Sequence, residues 1–148
     1  MRVLLDANIL VRANEKSQGP ARKVLLDLIA RKHIVITSAE ILIELARVLR
    51  CPRVQALFGL SDEQIYEYVQ YLKSVCVIVP ANLGTGSNFP IRDAADVPVL
   101  DAAIAGDADF ICTLDSDFYT AEITSFCAVA GITVLDDISF IDRLRSGQ

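Results

Sequence analysis

An α/β domain built on a parallel sheet with helices over both faces is the fold class this sequence predicts. Two observations predict it. Short runs rich in Val, Ile and Leu alternate along the chain with longer stretches whose apolar residues recur at helical spacing. Alternation of that kind calls for parallel pairing with both sheet faces covered. Two of the short runs also end at a carboxylate, Asp6 and Asp115, which is where an open parallel sheet presents its ligand site.

The elements follow in order. Residues 2–5 form a buried strand ending at Asp6. Pro20 opens a helix over residues 21–31, with Val24, Leu25, Leu28 and Ile29 on one face. Residues 34–36 are a second strand. Thr37-x-x-Glu40 has the form of a capping box, and the helix it starts runs to about Arg50 and stops at Pro52. Ser61-x-x-Gln64 is another capping box, opening a helix to about Lys73, and residues 75–79 are a third strand. Residues 81–90 hold Asn82, Gly84, Gly86, Asn88 and Pro90, which is loop composition. An Ala-rich helix from about Ala94 to Gly106 precedes a fourth strand, 110–113. A helix over 121–130 closed by Gly131, a fifth strand at 132–135 and a helix over 138–144 complete the chain. No repeat or linker interrupts the 148 residues, so a single domain over 1–148 is expected.

Composition removes several classes. Hydrophobic residues make up 53% and charged ones 22%, which excludes a disordered tail. No apolar run approaches the roughly 20 residues of a membrane span, and Asp6 and Asn8 interrupt the first apolar run as no signal peptide would allow. A cytoplasmic protein is the expectation. Cys51, Cys76, Cys112 and Cys127 form no C-x-x-C pair and His33 is the lone histidine, which argues against zinc. Cys76 and Cys112 read as buried small hydrophobes. The net charge of −5 is uneven: residues 1–92 carry 12 Lys/Arg and 8 Asp/Glu, residues 93–148 only 2 Lys/Arg against 11 Asp/Glu. That balance argues against a protein that coats nucleic acid, but a nuclease stays open, because metal ions neutralise acids clustered in a site.

The acids carry the chemistry. Asp6 ends a strand and Asn8 follows it; Glu44 borders the apolar face of Ile41, Leu45 and Val48; Asp93 and Asp96 start the Ala-rich helix; Asp115 and Asp117 follow a strand. Each has a purely structural reading. Asp6 can end a strand, Asp93 can cap a helix, Asp117 can sit in a turn, and Glu44 can pair with Arg47 at i+3. Gathered at one end of a sheet they need compensation, since burying several carboxylates together is costly. An all-oxygen set with no matching cluster of basic residues suits Mg²⁺ or Mn²⁺.

Four segments, Leu4-Leu-Asp-Ala-Asn-Ile-Leu, Ser38…Glu44-Leu-Ala-Arg-Val-Leu, Asp93-Ala-Ala-Asp-Val-Pro-Val-Leu and Ala108-Asp-Phe-Ile-Cys-Thr-Leu-Asp-Ser-Asp, resemble the PIN-domain family in order and spacing, from residue 2 to about 140. The likeness is greatest to the bacterial members classed as toxin components of toxin–antitoxin systems, the VapC-like ribonucleases. The resemblance implies a three-layer α/β/α sandwich with a five-stranded parallel sheet, and a Mg²⁺- or Mn²⁺-dependent endoribonuclease acting on single-stranded RNA. It implies Asp6, Glu44, Asp96 and Asp115 as the catalytic acids, with Asp93 competing for the third place. Asp6, Asp96 and Asp115 would ligate metal directly, Asp117 would assist, and Asn8 and Thr113 would orient the carboxylates. A small antitoxin protein and a homodimer are the partners it implies.

Substrate grip then falls to basic residues of the first 92, Arg12, Arg47 and Arg50 foremost, with Lys16, Arg53 and Arg92 behind them. Arg47, Arg50 and Arg53 recur at helical spacing near Glu44. Phe58, Tyr66, Tyr68 and Tyr71 are either core or interface. The competing class is a catalytically silent PIN scaffold or RNA-binding module. A phosphatase ranks lower, because Asp6-Ala-Asn lacks the second Asp of an aspartyl-phosphate motif.

Overall fold

A computed structural model describes residues 1–80 and 97–147. Five strands form one parallel sheet: β1 (Arg2–Leu5), β2 (Ile34–Ser38), β3 (Val77–Val79), β4 (Phe110–Cys112) and β5 (Thr133–Leu135), in spatial order β3-β2-β1-β4-β5. The helices are α1 (Ala7–Arg12), α2 (Pro20–Ala30), α3 (Ala39–Leu49), α4 (Pro52–Phe58), α5 (Asp62–Val75), α6 (Val97–Ala105), α7 (Ala121–Val129) and α8 (Asp137–Arg145), with a short 3₁₀ turn at Ser116–Tyr119. The predicted sheet and helix alternation is the observed one.

The central strands are buried on both faces, as Val3, Leu4, Leu5, Ile36, Ile111 and Cys112 show, while the edge strands β3 and β5 are partly exposed. Register assigns the faces. Phe110 lies opposite Val3 and Ile36 opposite Leu4, so these two pairs point to opposite sides. On the first side Phe140 of α8 meets Phe110 edge-on, ring centroids 5.3 Å apart, and Arg143 stacks on the same ring at 4.8 Å. On the second side the end of α6 presses onto β2. A Cβ on Gly106 would come within 2.9 Å of Ile36 Cγ2 and 3.1 Å of the Ala102 carbonyl oxygen, so only glycine allows that approach.

Local chemistry explains where the element boundaries depart from expectation. Thr37 is not a cap: it belongs to β2, and Ser38 caps α3 by accepting the Ile41 N–H at 3.3 Å. Thr37 Oγ1 is instead buried with no hydrogen-bond partner among the described residues. The Ser61–Gln64 capping box is present in full. Helices α1 and α4 carry too few residues for a periodic signal. They are held by the chain's path, α1 by the Asp6 cap at one end and α4 between Pro52 at its first position and Gly59, left-handed at φ 59°, past its last. Cys112 and Cys127 are buried, but Cys76 is only half-buried at the end of α5. Tyr68 is core, its hydroxyl donating to the Leu10 carbonyl at 2.6 Å, whereas Tyr66 and Tyr71 are exposed and Phe58 is half-buried. Among the described residues no helix is long and apolar enough to cross a membrane.

Candidate functional site

The sheet's connectivity creates one special crevice. The chain steps outward from β1 to β2 to β3, then returns to the other side of β1 to add β4 and β5. The reversal falls between β1 and β4, and the crevice beyond the carboxyl ends of strands at such a point is where open α/β sheets bind ligands. Asp6 follows β1 and Asp115 follows β4, three residues after Cys112, the in-register partner of Leu5.

Thr113 ties the two together. Its hydroxyl donates to Asp6 Oδ2 at 2.7 Å and accepts the Asp115 N–H at 3.1 Å. Asp6 Oδ1 accepts the Ala7 N–H at 2.7 Å, so the same carboxylate also caps α1. Asn8 Nδ2 lies 3.3 Å from both Asp6 Oδ2 and Thr113 Oγ1, and Asn8 Oδ1 accepts the Leu114 N–H at 3.1 Å. Asp115 Oδ1 in turn accepts the Asp117 N–H at 3.0 Å, starting the 3₁₀ turn. Each side chain is thereby fixed by at least one backbone group of another segment or its own turn. Asn8 and Thr113, which the resemblance implies as orienting residues, both hydrogen-bond to Asp6.

Asp6 is 6% exposed. Burial pushes its carboxyl above the ordinary value, and the charge of Asp115 adds to this, against the lowering effect of hydrogen bonds from Thr113, Ala7 and Asn8. Neither Asp6 nor Asp115 forms an ion pair among the described residues. A consequence for stability follows. In the unfolded chain the Asp6 carboxyl titrates near 3.8, in the folded chain higher. Between those values the native state binds the extra proton, so metal-free stability falls as pH rises through the window and levels off above it. Asp6→Asn is expected to remove that fall. Denaturant midpoints of both proteins in EDTA across pH 3.5–8 measure it, and identical slopes would refute it.

Asp6, Asn8, Glu44 and Asp115 line one cavity of about 380 Å³, together with Glu40 from α3 and Pro98 and Val99 from α6. Glu44 realises its structural reading as well: it is half-exposed and bound by Arg47, at 2.5 Å from Nη2 and 3.2 Å from Nε. Asp117 is exposed beside the cavity's Asp115 and does not line it. Asp93, Asp96 and Arg92 lie outside the described residues. Among the described residues no three His, Cys, Asp or Glu side chains converge closely enough to hold a metal ion. Asp6 and Asp115 bring two carboxylates, oxygen donors of the kind a hard divalent ion takes, without a cation beside them among the described residues.

The basic residues divide differently from their spacing. The helix ends at Leu49 and restarts at Pro52, so Arg47, Arg50 and Arg53 share no single face. Arg47 holds Glu44 and Arg50 holds Asp62 at 3.1 Å. Arg12 and Arg53 instead line a second cavity beside the first. That cavity also contains Asp137, which the sequence reading missed, although Asp136-Asp137 directly follows a strand just as Asp6 and Asp115 do.

The PIN domain family model matches residues 2–117. Solved structures of similar fold include VapBC2 from Rickettsia felis bound to a DNA fragment from their promoter. It has TM-score 0.61 and 17% identity, covering 92% of this chain and 98% of that one. FitAcB from Neisseria gonorrhoeae has TM-score 0.55 and 15% identity, covering 91% and 97% of the two chains. FitAB bound to an IR36 DNA fragment has TM-score 0.54 and 15% identity, covering 91% and 94%. No curated protein matches the chain.

Proposed function

Because the chain belongs to the PIN-domain family, we propose that it is a Mg²⁺- or Mn²⁺-dependent endoribonuclease for single-stranded RNA, and the toxin of a toxin–antitoxin pair. The observation that carries this reading is the Asp6–Thr113–Asp115 arrangement at the sheet's reversal point: one hydroxyl joins the Asp6 carboxylate to the Asp115 backbone N–H, and both carboxylates line one cavity without an ion pair among the described residues. Keeping two anions close costs stability unless a ligand compensates them.

Asp6 and Asp115 would hold the divalent ion, with Asp96 as the third acid and Asp93 as its competitor. Asp117 would assist from the 3₁₀ turn. When bound, such an ion lowers the pKa of water and offsets charge on the reacting phosphate. The protein's part is positional. Asn8, Thr113 and the Ala7 N–H fix the Asp6 oxygens, so the carboxylate needs no reorganisation when a ligand arrives. Glu44, in the same cavity, is assigned the proton of the attacking water; Arg47 holds it in place. The small antitoxin, the homodimer and the cytoplasmic location belong to the same reading, which rests on family membership.

The Glu44–Arg47 pair and the absence of three convergent acids among the described residues favour a second reading, a silent scaffold. One assay separates the two. Labelled single-stranded RNA is expected to be cut with Mg²⁺ or Mn²⁺ and left intact in EDTA. No cleavage together with no metal binding by calorimetry would establish the scaffold.

A further inference from the structure

Beside the acid cavity lies a second one of about 550 Å³, and Asn8, Val11 and Val48 line both, so the two are adjacent. Its size is that of a small-ligand site. Leu57 and Phe58 of α4 give it an apolar wall, and Arg12 and Arg53 stand exposed at its rim with no hydrogen bond or ion pair among the described residues. Inside is Asp137, only 5% exposed. Its Oδ1 accepts the Ile138 N–H at 2.9 Å, while its Oδ2 has no hydrogen-bond partner among the described residues and is not sealed from solvent. That oxygen is an acceptor within reach of a donor-bearing ligand entering the cavity.

We propose that this second cavity is a base-reading subsite for the RNA beside the scissile phosphate, and that Asp137 selects guanine. The proposal rests on the nuclease reading above. A carboxylate only accepts hydrogen bonds. Guanine presents two adjacent donors, N1–H and N2–H₂, on its pairing edge. Adenine and cytosine set a ring acceptor beside their amino group, and uracil flanks its one N–H with two carbonyls. Unstacked bases of single-stranded RNA are read on such edges and stack on aromatic side chains, the place of Phe58 here. Arg12 and Arg53 supply cations for the neighbouring phosphates. An arginine-bearing peptide would also satisfy Asp137, but the two rim arginines repel it.

The test is equilibrium binding of short labelled single-stranded RNAs differing at one base, titrated into the full chain in EDTA and again in Ca²⁺. Wild type is expected to bind the guanine RNA about tenfold or more tightly than the other three. Asp137→Asn keeps Oδ1 for the Ile138 N–H but puts a donor where Oδ2 was, and is expected to lose the preference. Arg53→Gln is expected to weaken all four RNAs alike. Equal binding of the four by wild type, which needs no variant, overturns the proposal. So does a preference that survives Asp137→Asn, or Asp137-dependent capture of an arginine-bearing peptide with RNA binding unchanged. Cleavage assayed in parallel keeps the two readings apart. Guanine-selective binding without cleavage removes the nuclease and keeps the subsite; cleavage without selectivity removes the subsite alone.

Discussion

Asp6→Asn is expected to lower RNA cleavage at least about a hundredfold while the folded state is retained, the scale seen when a metal ligand or its support is removed. The substitution is conservative for the fold. The amide oxygen can still accept the Ala7 N–H that caps α1, while the amide nitrogen gives up the bonds Asp6 Oδ2 accepts from Thr113 and Asn8. What disappears is a buried negative charge beside Asp115. In EDTA the variant is therefore expected to melt no lower than wild type, and with Mn²⁺ wild type alone is expected to gain Tm, because only a native state that binds the ion is stabilised by it. Cleavage at wild-type rates by Asp6→Asn would sink the assignment of Asp6 as a ligand.

Thr113→Val is the sharper test of preorganisation. Valine matches threonine in shape, but it removes the one oxygen that binds Asp6, Asn8 and the Asp115 N–H together. The cost is about 1–3 kcal/mol of stability from the groups left unpaired in a buried place, read as a lower denaturant midpoint. Activity is expected to fall about 10–100-fold, as for other groups that orient a ligand carboxylate. Thr113→Ser keeps the oxygen and is expected to recover most of the activity. If valine and serine variants cleave alike, the hydroxyl does not position the acids and the site tolerates loose carboxylates.

How much of this was legible beforehand depends on the range of the interaction. The strands, the long helices and the cap at Ser61 follow from residues a few positions apart, and hydrophobic period and side-chain capping are local enough to be read directly. Asp6 and Asp115 were legible for the same reason: each ends a buried run. The amphipathic pattern did not show α1 or α4, because six or seven residues are too few for a period, and it placed the α3 cap one residue early, because Thr37 and Ser38 have the same chemistry and only strand pairing decides between them.

By itself the sequence determined the layered α/β class, the carboxylates at strand ends and the resemblance that the family match then bore out. Only the tertiary structure decided which of them meet. Thr113 reaches Asp6 across 107 positions, a contact made by the β1–β4 pairing, and Glu44 turns out to be held by Arg47 while it faces the same cavity. Asp137 became visible only when α8 carried it into a cavity with Arg12 and Arg53. The physical reason is the same in each case. Periodicity records which face of an element is buried, whereas a site is a meeting of elements remote in sequence, and register and packing between them settle where each carboxylate points.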